Sequence, residues 1–119
     1  MSQEQAGRDA NGYGIGRVRI SRRVLRTVIE EAAVSVRGVT SVARDIAPVP
    51  PGLGRSLPWR GIGLATHGND VAIDLYLIAG QGENLARVGA DARDAVVRAI
   101  EESLGMRVVV VNIYFQDVA

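Results

Sequence analysis

Three residues have the side chains for acid–base chemistry at close spacing: His67, Asp70 and Asp74. A general base needs an orienting partner and a nucleophile or substrate proton within hydrogen-bond reach. His67 instead opens His67-Gly68-Asn69-Asp70, a run suited to a tight turn because glycine and asparagine tolerate positive φ. His67 therefore reads as a solvated turn residue and Asp70 as part of the turn's own chemistry. Asp74 falls on a strand, where a cross-strand pair with Arg17 or Arg19 would account for it. The 119-residue chain has no cysteine and a single histidine, and all of its 14 cations are arginine. That rules out a thiol nucleophile, a disulfide, a lysine Schiff base and a phosphate-loop lysine, and it leaves no zinc cluster to build. The run Gly12-Tyr13-Gly14-Ile15-Gly16 precedes a strand, whereas a nucleotide fingerprint follows a strand and opens a helix. No catalytic, cofactor-binding or metal-ligating residue is expected, and the residue types favour a binding or assembly module over an enzyme.

Arginine is the one charged residue type with an uneven distribution. Arg17, Arg19, Arg22, Arg23 and Arg26 fall within a short stretch around one strand and the start of one helix. Arg22 and Arg23 stand in the first helical turn, where the helix dipole disfavours cations by about 0.3–1 kcal/mol each. Arg26 can offset part of this by pairing with Glu30. The group reads either as a solvated charged face or as a local patch for an anionic partner such as nucleic acid or acidic lipid. The formal net charge of +1 keeps any such patch local and speaks against a general nucleic-acid coat.

The elements that must hold these residues follow from periodicity and breakers. Residues 1–14 are polar and glycine-containing and read as a flexible tail. Residues 15–119 read as a single α+β domain. Gly16 to Ile20 is a short strand. Ser21 is an N-cap, and the helix after it runs to about Arg37 with Val24, Leu25, Val28, Ile29, Ala32 and Val36 in one stripe. Gly38 ends that helix, and Val39 to Arg44 form a strand. Pro48, Pro50, Pro51 and Pro58 make 45–60 a loop, long for so small a domain. Strands at 61–66 and 71–79 flank the turn. Asn84 caps a second helix, Leu85 to Leu104, striped by Leu85, Val88, Ala92, Ala95, Val96, Ala99, Ile100 and Leu104, with Arg87/Asp91 and Asp94/Arg98 outside. Gly105 ends it, and Arg107 to Val118 is the last strand. The order strand–helix–strand–strand–strand–helix–strand predicts a two-layer sandwich with two helices on one face of a mixed sheet. No apolar run approaches the ~20 residues of a membrane span, and the polar start carries no apolar signal core.

With both helices on one face, the other sheet face would show Tyr76, Ile78, Val108, Val110 and Tyr114 beside Asp74 and Asn112. That is more apolar than a solvated face requires. It reads as a self-association or partner surface, or as a face shielded by the 45–60 loop. Trp59 fits either a plug at the edge of the core or an interface anchor.

Two blocks carry a family resemblance. The first spans residues 15–42, with Ile20-Ser21, the Ala32-Ala33 pair inside a helix, and Gly38-Val39. The second is Val71-Ala72-Ile73-Asp74-Leu75-Tyr76-Leu77, then Gly82, a long helix, Gly105, and Val111-Asn112-Ile113. In this order they resemble the bacterial alkaline shock protein family, also called the general-stress or envelope stress response family. The resemblance covers about 15–118 and implies a cytoplasmic protein of envelope homeostasis with no catalytic residues. It further implies self-association and gathering beneath the membrane through a small membrane-anchored protein partner. The proline-rich 45–60 loop and the missing lysine depart from the family's usual pattern.

Overall fold

The computed structural model describes residues 18–44 and 60–119. The expected tail, Gly12 to Gly16, Arg17, Trp59 and most of the 45–60 loop lie outside the described residues. Six elements follow in order: α1 (Arg22–Val34), β1 (Val39–Val42), β2 (Ile62–His67), β3 (Asp70–Ala79), α2 (Leu85–Leu104) and β4 (Arg107–Val118). Of the expected first strand, Val18 to Ile20 lead into α1 without strand pairing, and Ile20 packs against the core.

Both helices begin where a side chain can satisfy a free backbone amide. The Ser21 hydroxyl accepts from Val24 N–H at 3.1 Å, and Asn84 Oδ1 accepts from Arg87 N–H at 3.1 Å. Helix α2 ends on Gly105 at φ +67°, the left-handed conformation that glycine adopts without strain. Helix α1 stops at Val34, earlier than its apolar stripe suggests. Residues 35–38 turn instead, because Gly38 (φ +102°) must pass close to α2: a Cβ there would stand 2.6 Å from Val88 Cγ2.

Strand β3 organises the sheet. Its inward residues Val71, Ile73, Leu75 and Leu77 are fully buried beneath Leu25, Ile29 and Ala33 of α1 and Ala92, Val96 and Ile100 of α2. Each such aliphatic burial is worth roughly 1.5–3 kcal/mol. Both helices therefore lie on one face, as the sequence predicts. Val24, assigned to the α1 stripe by periodicity, is 43% exposed, so the buried stripe is narrower than the sequence suggested.

Strand β4 pairs β3 in parallel along Asp70 to Ala79, with α2 as the connection. A strand has only two edges, so the antiparallel partners β1 and β2 must share the other. They lie end to end: β1 covers Leu77 to Ala79 and β2 covers Asp70 to Leu75. Tyr76, between them, is served by both segments. Its carbonyl accepts from Ala43 N–H at 2.8 Å and its amide donates to Gly61 O at 2.9 Å. In an ordinary antiparallel ladder one residue supplies both groups. Here β1 and β2 are one strand, interrupted where the chain leaves at Ala43 and returns at Gly61. The two ends touch so closely that a Cβ on Gly61 would overlap the Ala43 carbonyl.

Candidate functional site

The acid–base residues are held as structural parts. His67 is exposed and sits opposite Asp70 in the β2–β3 register. Asp70 pairs with Arg107, Nε to Oδ1 at 3.2 Å. Asn69 donates from Nδ2 to Gly105 O at 3.0 Å, and its carbonyl accepts from Arg107 N–H at 2.9 Å. The turn thus clamps the junction between α2 and β4. Asp74 is 9% exposed and accepts from Asn112 Nδ2 at 2.9 Å, a pairing across β3 and β4. Among the described residues, no group of three or more histidine, cysteine, aspartate or glutamate side chains is placed to hold a metal ion.

The sheet face away from the helices carries Ala72, Tyr76 and Ile78 from β3 and Val110, Asn112 and Tyr114 from β4. Tyr76 and Tyr114 are register partners, and their rings stack with centroids 4.7 Å apart and planes 18° from parallel. Val110 is 38% and Tyr114 43% exposed, while Tyr76 and Ile78 are half-buried. Val108 does not join them. The β3–β4 register slips between Val71/Val108 and Ala72/Val110, leaving Val109 as an extra bulged residue. Strict alternation fails at the bulge, so Val108 packs towards the core and Val109 is 50% exposed. A second slip beyond Phe115 leaves Gln116 unmatched in the same way. Glu101 Oε2 accepts from Val108 N–H at 3.3 Å and fixes the start of the irregular strand.

The arginines separate. Arg22 turns towards the sheet and donates from Nη1 to Leu64 O at 3.2 Å, tying α1 to β2. Arg19 is exposed ahead of the helix and does not line a cleft with the others. Arg23 and Arg26 do come together. With Thr27 and Glu30 they occupy positions i, i+3, i+4 and i+7 of α1, one helix face. Opposite them stand Arg44 and Arg60, at the two lips of the strand interruption, over Ile62. These residues line an open cleft of about 470 Å³. Glu30 pairs with Arg44 across the cleft. Arg44 and Arg60 were missed in the sequence because 16 positions separate them; the split strand brings them to one place. Pairing on α2 is also partly different: Arg87 bridges Glu83 and Asp91 at 2.8 and 3.0 Å, while Asp94 lies 3.7 Å from Arg93.

Two helices over one face of a mixed four-stranded sheet, with a parallel strand–helix–strand unit, define a small two-layer α+β domain. The same architecture occurs in two variants of MamM CTD, which are similar to this chain at TM-score 0.51. They share 17% and 18% sequence identity and cover 81% of this chain and 95% and 94% of their own. The model of the alkaline shock protein 23 family, described as having a cell envelope-related function, matches residues 11–119, and the chain belongs to that family. It is also 29% identical over 107 residues to the uncharacterized protein YloU of Bacillus subtilis (strain 168), covering 87% of this chain and 88% of that protein. No helix among the described residues is long and apolar enough to cross a membrane.

Proposed function

We infer that this protein is a non-catalytic, self-associating module of envelope homeostasis, held at the inner face of the cell membrane through a small membrane-anchored protein partner. The observation that carries the reading is the face formed by Tyr76, Ile78, Val110 and Tyr114. It is apolar and partly exposed, on a sheet whose opposite face is already covered by both helices. An aromatic stack flanked by aliphatic side chains suits burial against a second such surface, where tyrosine gives contact area at small entropic cost. The cell envelope-related function of the family supports the location. The β4 edge is less suited to strand-to-strand association, because two bulges interrupt its ladder.

Size-exclusion chromatography with light scattering tests the reading. Wild type is expected as an oligomer, and Tyr114→Glu or Val110→Glu, each placing a charge in the face, as a monomer with unchanged circular dichroism. A wild type that stays monomeric at high concentration and is indifferent to both changes would refute self-association.

A further inference from the structure

We propose that the cleft between α1 and the interrupted strand binds a phosphomonoester dianion, either as a lipid headgroup or as a small soluble phosphate ester. Four arginines, Arg23, Arg26, Arg44 and Arg60, line it beside one acidic residue, Glu30. The chain as a whole carries a formal charge of only +1, so this excess of cations is concentrated at one place. Guanidinium forks match phosphate oxygens two at a time, and several of them in one cleft can share a single anion. The cleft, at about 470 Å³, exceeds a bare phosphate and leaves room for the alcohol portion of an ester.

The backbone supplies an independent sign. Arg60 is the one non-glycine residue with positive φ (+50°) among the described residues. Glycine would adopt that conformation without strain, as Gly61 does beside it at φ +82°. A side chain held in a conformation that favours glycine costs strain, and such strain clusters at ligand sites. Here the residue is one of the four arginines that line the cleft. The site lies on the helix side of the sheet, away from the Tyr76–Tyr114 face, so it stands or falls separately from self-association.

The test uses the full chain at low salt. One arm titrates glycerol phosphate by calorimetry, and the other measures co-sedimentation with phosphatidic acid vesicles, with phosphatidylcholine vesicles as reference. Arg60→Gly and Arg23→Gln are each expected to weaken binding about tenfold, the order of one charge-assisted hydrogen bond. Arg60→Gly should melt no lower than wild type, because its backbone strain is relieved. Arg19→Gln, outside the cleft, should leave affinity within about twofold of wild type. Binding in the soluble arm identifies a free ester as the source, and binding in the vesicle arm alone identifies a headgroup; either result with this variant pattern supports the site. Absence of binding in both arms, or equal losses for Arg19→Gln and the cleft variants, would overturn it.

Discussion

Deleting residues 44–61, so that Ala43 is followed directly by Ile62, should leave a folded and more stable domain. Ala43 already gives its N–H to Tyr76 O, and Gly61 gives its carbonyl to Tyr76 N–H. After the deletion Ala43 supplies both groups. Val42 then faces Leu77, Ala43 faces Tyr76 and Ile62 faces Leu75 in unbroken register. Closing a loop of roughly 18 residues costs about 2.5 kcal/mol of chain entropy, and the deletion removes that cost. It also removes the Arg44–Glu30 pair, whose side chains are 51% and 37% exposed, and an exposed pair is worth at most about 1 kcal/mol. From these two contributions alone the net gain is about 1–2 kcal/mol, or about 5–10 °C in Tm for a domain of this size. Thermal melting by far-ultraviolet circular dichroism, with urea unfolding at 25 °C, reads both quantities. The same variant lacks Arg44 and Arg60 and should lose phosphate-ester binding while staying folded. A deletion variant that unfolds without cooperativity, or melts well below wild type, would refute the continuous-strand reasoning. It would show that residues 44–61 contribute packing that the ladder does not replace.

Two further outcomes follow from the packing. Gly38→Ala should destabilise by about 2–3 kcal/mol in urea unfolding, since the new methyl meets Val88 at 2.6 Å in a conformation that L-residues rarely adopt; an unchanged midpoint would mean that α1 and α2 are not locked there. Leu75→Ala, at a fully buried core position of β3, should cost about 2–5 kcal/mol, with the oligomeric state of the folded fraction unaltered.

Local features were legible in the sequence because their causes are local. Ser21, Asn84 and Gly105 end helices through contacts within a few residues, and the caps fall where the residue types put them. The inward series of β3 was legible because that strand is regular and buried under the helices. Two things depended on strand pairing and were not legible. The bulge at Val109 shifts the facing of Val108, and nothing in a run of four valines shows where the parity changes. The union of β1 and β2 emerges only from their shared partner, so a segment that reads as two strands and a connector is one strand with an excursion. The arginine cleft was half-visible for the same reason. Arg23 and Arg26 share a helix face by spacing, but Arg44 and Arg60 meet them only once Ala43 and Gly61 are brought into contact.

The placement of the two surfaces has a consequence for avidity. The tyrosine face lies on the side of the sheet that carries no helix among the described residues, and the arginine cleft on the side of α1. Copies joined through the tyrosine face therefore keep their clefts exposed, and each added copy adds one cleft to the assembly. For a soluble ester this changes nothing, since each cleft binds alone. For a headgroup in a bilayer, the second cleft binds at the high effective concentration set by the first. Tyr114→Glu, which separates the copies without touching the cleft, should thus lower vesicle binding by tenfold or more while leaving glycerol phosphate affinity unchanged. Equal losses in both measurements would mean that the substitution damages the cleft itself and that the two surfaces are not independent.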